Sequence, residues 1–176
     1  MITLRDFDLA RDGAALRDWV GGSRAGLVTW AGTTFDWPLD DAQLAAYAAD
    51  ARLRKFAAAE TATGATVGHF SLGVPPGGGE TRLGRVMIAP EARGRGLARA
   101  MLTELVRYAF EELHVPSLTL GVYTHNTRAH HLYESLGFRT HRVLADCVEV
   151  DGTPWTALEM RLTAPGPTAP GPAGWR

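Results

Sequence analysis

From Arg82 to Tyr123 the chain reads as strand, glycine-rich loop, helix, proline break and strand, with no tight turn inside that span. Arg82–Ile88, "RLGRVMI", grows more apolar toward its end, and "EARGRGLARA", Glu91–Ala100, follows it. From Gly96 to Leu113 apolar residues recur at Leu97, Met101, Leu105 and Tyr108, which is helical spacing. Pro116 breaks that helix, and Ser117–Tyr123 has the β-rich pattern of a second strand. Two strands joined through a helix lie parallel, so this unit commits the sheet to at least one parallel pair with a crossover helix.

The remaining segments favour antiparallel neighbours. Ile2–Phe7 alternates apolar and polar residues as a strand does, and Asp8 is a cap for a helix carrying Leu16, Trp19 and Val20, ended by Gly21 and Gly22. An aromatic segment, "LVTWAGTTFDWPL", reads as irregular. After it, Asp40 with Gln43 three residues on forms a capping-box pattern for a helix bearing Leu44 and Tyr47. Leu53–Glu60 and Thr66–Val74 form a predicted hairpin turning at Thr63-Gly64, followed by the loop "PPGGG". Asn126–Leu136 is a short predicted helix stopped by Gly137. Phe138–Val150 and Trp155–Leu162 then pair about the turn Asp151-Gly152. The order is β-α-α-β-β-β-α-β-α-β-β. The fold class is α+β, a mixed and mostly antiparallel sheet with about four helices. One domain is expected over residues 1–162, with a Pro/Gly-rich disordered tail over 163–176.

Composition narrows the function classes. The 176 residues are 45% hydrophobic, enough for one real core. Lys plus Arg total 18 against 19 Asp plus Glu, a net charge of −1, so nothing draws the whole surface to nucleic acid or anionic lipid. The first twelve residues are charged and no stretch approaches membrane-spanning length, which reads as a cytoplasmic protein. Cys147 stands alone, so neither a disulfide framework nor a zinc cluster is expected, and no metal site is predicted.

The glycine-arginine loop points to an anion held locally. A dinucleotide fingerprint would need a third small residue where Arg99 stands, and a triphosphate loop would need Gly-Lys-Ser/Thr, which is absent. A pyrophosphate held by loop amides at a helix start remains, where unpaired N–H groups and the helix dipole both favour negative charge. Arg93, Arg95 and Arg99 would add charge-assisted hydrogen bonds. Taken alone, the loop fits a solvated, arginine-rich helix start equally well.

Downstream stands "VYTHNTRAHHLYESLGF", Val122–Phe138, one helix and one strand after "VMIAPEARGRGLARAML". In these two stretches the sequence resembles the GNAT superfamily of acyl-CoA N-acyltransferases. Arg93-x-x-Gly96-x-Ala98 matches its pyrophosphate motif, and Asn126, Arg128, Ala129, Leu132, Tyr133, Gly137 and Phe138 match its second motif. The resemblance runs from about Ile2 to Leu162, with Val86–Phe138 the specific part. It implies acetyl-CoA as cofactor, its pantetheine arm gripped by the backbone at Val86, Met87 and Ile88. Its pyrophosphate would lie over Arg93, Gly94, Arg95, Gly96, Leu97, Ala98 and Arg99, with Asn126, Arg128 and Ala129 on the other side.

The implied activity is transfer of an acetyl group to a primary amine by direct attack in a ternary complex. Tyr133 matches the family's general acid. Glu80, eight residues before Ile88, and His69 in "VGHFSL" are the candidate bases, each otherwise an exposed loop acid or a structural strand histidine. The segment holding Trp30, Phe35, Asp36 and Trp37 would wall the acceptor site; its aromatics and carboxylates suit a cationic amine, and equally suit a core with helix caps. The expected partner is a small-molecule or peptide amine, and a homodimer through the last hairpin is a further expectation. A non-enzymatic acyl-CoA sensor, or transfer from another acyl-CoA, stays open.

Overall fold

The computed structural model describes residues 1–20, 22–77 and 79–166. Gly21 of the expected helix stop, Gly78 of the loop and residues 167–176 of the expected tail lie outside the described residues.

Seven strands form one sheet: β1 (Ile2–Asp6), β2 (Leu53–Glu60), β3 (Thr66–Gly73), β4 (Thr81–Ile88), β5 (Ser117–Tyr123), β6 (Arg139–Val150) and β7 (Thr153–Thr163). Their order across the sheet is β1-β2-β3-β4-β5-β7-β6. Only β4 and β5 run parallel; every other neighbouring pair is antiparallel. The helices are α1 (Leu9–Val20), α2 (Arg24–Ala31), α3 (Asp41–Ala49), α4 (Leu97–Arg107) and α5 (Thr127–Ser135). The expected α+β class and the parallel crossover unit are thus observed. The predicted helix over Gly96–Leu113 is α4 followed by a π turn, Tyr108–Glu112.

One element departs from expectation. The aromatic segment read as irregular begins inside α2, whose cap Ser23 accepts the Gly26 N–H at 3.1 Å. Ser23 has Gly26, not Glu or Gln, at the third position of a capping box, and aromatic and β-branched residues carry weak helical preference. The helix forms because Leu27, Val28 and Trp30 are buried against the sheet, a tertiary gain that periodicity over eight residues does not reveal.

The two faces of the sheet are covered by different helices. Gly68 and Ile88 meet Met101 of α4, whereas the adjacent His69 meets Tyr47 of α3, as alternation along β3 requires. Asp40 and Gln43 make only half of the expected capping box. Asp40 Oδ1 accepts the Gln43 N–H at 2.8 Å, but the Gln43 side chain bonds the Asp36 N–H and the Pro38 carbonyl. Lys55 on β2 donates to the carbonyls of Tyr47, Ala48 and Asp50, satisfying the end of α3. Asp12, 2% exposed, anchors α1 by accepting from both Arg5 nitrogens (2.7 and 2.8 Å), the Asp8 N–H and the Thr66 hydroxyl. Burial would raise that carboxyl, but Arg5 and these other donors outweigh it and hold it well below the usual carboxylate range.

At Gly68 a side chain of α4 comes close to the sheet backbone. A Cβ there would stand 2.8 Å from Met101 Sδ, 2.9 Å from Ile88 Cδ1 and 3.2 Å from the Met87 carbonyl oxygen. Gly68→Ala is expected to overpack this contact and cost about 1–3 kcal/mol, read as a lower urea midpoint at unchanged m-value. A midpoint equal to the parent's would show that the contact is slack.

Candidate functional site

The parallel pair holds register only at Thr81↔Leu118 and Arg82↔Thr119. Beyond Arg82 the strands part, and the cause is a bulge in β4. Opposite β3 the register passes from Ser71↔Gly84 to His69↔Met87, so two steps on β3 face three on β4. Arg85 occupies the extra position with φ +52. Its carbonyl accepts the Trp30 indole N–H at 2.8 Å, which ties α2 to the bulge. The side of β4 facing β5 is thereby left without a strand partner from Leu83 to Ile88, and buried backbone groups require one.

A cavity of about 890 Å³ occupies the gap. Its walls are Leu83–Ile88 of β4 and Leu120–Val122 of β5; Arg93–Gly94, Gly96–Arg99, Asn126, Arg128 and Ala129 line another part, and Trp19, Val20, Thr29 and Trp30 a third. Gly94 and Gly96 have φ +77 and +76, and nothing lies within 4 Å of where a Cβ would stand. The loop therefore turns left-handed twice beside open space, and the first-turn N–H groups of α4 follow immediately. That is a cradle for an anion at a helix N-terminus.

The expected donor-side residues converge here with one exception. Arg93 is held beside the end of β4, its Nε donating to the Ile88 carbonyl at 3.3 Å. Arg99 donates to the Ser135 hydroxyl at 2.8 Å, bridging α4 to α5. Asn126 caps α5 by accepting the Ala129 N–H at 3.4 Å. Arg95 is the exception: it pairs with Glu60 and does not line the cavity. Tyr133 lines the cavity while only 7% exposed, its ring edge-on to Phe138 at 5.8 Å, and burial pushes its phenol well above the usual value.

Neither expected base reaches this space. Glu80 sits at the paired end of β4, bonded to Arg161 at 2.7 Å, and eight residues of strand put roughly 26 Å between it and Ile88. His69 is 1% exposed under α3; its Nε2 shares a 2.8 Å hydrogen bond with the Tyr47 hydroxyl, and its Nδ1 has no partner. Burial, with the Arg85 charge in second place, lowers it to about 3, so it is neutral and a poor proton acceptor. On the acceptor side Trp30 lines the cavity and Phe35 stacks behind it at 5.6 Å. Asp36 and Trp37 do not line it: the Asp36 backbone is engaged by Gln43, and Trp37 lies on the surface, 42% exposed.

Three residues here were not among the predicted site residues. Thr29 arrives on the unrecognised helix α2. Arg85 is brought in by the bulge, which nothing in its local sequence announces. His125 stacks on Tyr123 at 5.7 Å with its Nε2 3.4 Å from the Thr29 hydroxyl, and it is the one imidazole lining the cavity. No Asp or Glu lines it among the described residues.

Known proteins share this family pattern and this fold. The sequence pattern described as "Acetyltransferase (GNAT) family" matches residues 24–138. A spermidine N(1)-acetyltransferase of Vibrio cholerae is 39% identical over 54 residues, so the match spans 31% of this chain and 31% of that protein. The crystal structure of spermidine N-acetyltransferase from Vibrio cholerae in complex with CoA and spermine superposes with a TM-score of 0.78 at 20% identity, covering 92% of this chain and 95% of that one. A structure assigned to a phosphinothricin N-acetyltransferase superposes at 0.74 with 18% identity over 93% and 98% of the two chains. Among the described residues no helix is long and apolar enough to cross a membrane.

The state of His69 has a consequence for stability. An unfolded imidazole takes up a proton near pH 6.5, while the folded one resists it until near 3. Between those values the unfolded state binds more protons, so stability falls as pH falls. From pH 6.5 to 5 this group alone removes about 2 kcal/mol. Urea unfolding of His69→Gln at pH 7 and pH 5 is expected to show a stability loss smaller by about that amount than the parent's; identical losses would mean that His69 titrates normally in the fold.

Proposed function

Because the chain belongs to the GNAT acetyltransferase family, we propose that it transfers an acetyl group from acetyl-CoA to a primary amine by direct attack in a ternary complex. The observation that carries this reading is the opened β4–β5 gap, walled by unpartnered backbone and ending at the two left-handed glycines before α4. An amide-bearing arm can pair with the strand edge as an added strand would. A pyrophosphate at the other end meets loop N–H groups, the helix dipole and the guanidinium groups of Arg93, Arg99 and Arg128.

Acetyl-CoA supplies an activated thioester. The protein's part is to position it, to stabilise the charge that develops on the carbonyl oxygen, and to assist the departing sulfur. An N–H of β4 near Met87 serves the oxygen, a donor type worth about 10²–10³ in rate. Tyr133 serves the sulfur: burial keeps its hydroxyl protonated, so it donates a hydrogen bond as the thiolate departs. The amine must arrive uncharged, since an ammonium has no lone pair. His125, directly or through water, takes that proton, in place of the buried His69 and the distant Glu80. A sensor without turnover would have no use for a phenol buried at the junction, which favours catalysis.

The acceptor is a small-molecule amine. A homodimer stays part of the reading, since β6 is an edge of the sheet and Val143 on it is 59% exposed.

Tyr133→Phe is expected to lower kcat by about 10²-fold with acetyl-CoA affinity unchanged by calorimetry; undiminished turnover would remove the phenol from the mechanism. Arg93→Ala should weaken acetyl-CoA binding about 10–10²-fold at low salt, and less at high salt where the charge is screened. Equal affinity of variant and parent at low salt would sink that assignment.

A further inference from the structure

Arg85, one of the residues lining the cavity, carries a charge that no acid neutralises among the described residues. Arg85 projects from the β4 bulge into a group of neutral side chains. Its Nη1 donates to the Ser71 hydroxyl at 3.2 Å and its Nη2 to the Thr34 hydroxyl at 3.1 Å, and its Cζ lies 5.0 Å from the Tyr47 ring centroid and 6.0 Å from that of Phe35. Its Nε is buried without a partner. A guanidinium has five N–H donors, so two hydroxyls leave it largely unsatisfied.

The neighbouring acids are committed elsewhere. Asp12 is held by Arg5 and Arg11, Asp50 by Arg52, and the Asp36 carboxylate does not line the cavity. Arg85 forms no ion pair among the described residues, and its charge joins burial, the larger cause, in depressing both His69 and Lys55. A half-buried charge without a counter-ion is a standing cost, one that a ligand anion would remove.

Position adds direction to this argument. Arg85 lines the cavity two residues before Met87, whose neighbourhood serves the reacting carbonyl, so roughly 6–7 Å of chain separates the two. The Trp30 hydrogen bond fixes the Arg85 backbone, so the fork is preorganised. We infer that Arg85 makes this an acceptor site for an amine bearing its own anionic group, a carboxylate or phosphorus oxyacid, a few bonds from the nitrogen. The inference rests on the acetyl-transfer reading and narrows its acceptor. It also disfavours a polyamine, which would bring further positive charge beside Arg85 where, among the described residues, no carboxylate lines the cavity.

The test compares matched acceptors. Thiol release from acetyl-CoA is measured with L-alanine, L-glutamate and aminomethylphosphonate, with alaninamide and diethyl aminomethylphosphonate as uncharged partners, and with spermidine. Binding of the same compounds to the CoA-saturated protein is followed by calorimetry. The expected result is at least a tenfold preference in kcat/KM for one or more anionic amines over their uncharged partners. Arg85→Gln should abolish that preference and Arg85→Lys should retain part of it, with acetyl-CoA affinity unchanged in both. Amino carboxylates and aminophosphonate are separate arms, so the preferred anion is identified. Equal losses for anionic and uncharged amines in Arg85→Gln would make Arg85 a structural plug and overturn the inference, as would spermidine being the best acceptor. If no amine releases thiol yet an anionic amine binds in an Arg85-dependent way, the transfer reading fails and the Arg85 assignment stands. No Arg85-dependent preference in either measurement overturns the assignment.

Discussion

One hydrogen bond decides the shape of the site: the Trp30 indole N–H on the Arg85 carbonyl, 2.8 Å long. A bulge alone would leave that carbonyl buried without a strand partner. The indole satisfies it, so the extra residue of β4 sits in a defined place and the strand stays turned away from β5. The opening between the strands is therefore a built feature of the sheet, and the cavity, the exposed strand edge and the entry to α4 all follow from it.

Charge is distributed around that opening with the same economy. The sequence as a whole is near neutral, yet the cavity lining is cationic because acids have been drawn off to other partners. Asp12 is spent on Arg5, Glu60 on Arg95, and Glu80 on Arg161. Arg95 illustrates how misleading local spacing can be. It sits between the two cradle glycines, but pairing with Glu60 turns it from the space its neighbours line.

The donor side was legible in the sequence because it is local. Strand, left-handed glycines, helix and second strand follow one another within some forty residues, and each reports itself through turn chemistry or periodicity. Val86–Ile88, Gly96–Ala98, Asn126 and Tyr133, singled out by their resemblance to the family's motifs, all line the cavity that these elements enclose. The acceptor side was not legible because it is assembled from distance. The helix α2 owes its existence to burial of Leu27, Val28 and Trp30, and Arg85 reaches the cavity only through a register shift against β3. His69 was a candidate base by residue type on the neighbouring strand, and Glu80 by its spacing from Ile88 and the family resemblance. What excluded them was depth under α3 in one case and the paired end of a strand in the other.

The same separation makes the two halves of the site unequal in how they respond to change. Residues of the loop and of α5 line the proposed donor end of the cavity, so substitutions there are expected to add independently of substitutions on the proposed acceptor side. Trp30 is the point at which this independence breaks. Its ring walls the cavity and stacks on Phe35, and its N–H holds the bulge beside the β4–β5 gap. A side chain that kept the ring's bulk but lost the N–H would leave a buried carbonyl unpaired, and β4 could recover the bond only by closing on β5 or by admitting water. Either response moves Arg85 and the strand edge together. On the proposed reading of the site, acceptor selectivity and donor binding are thus coupled through a single backbone oxygen.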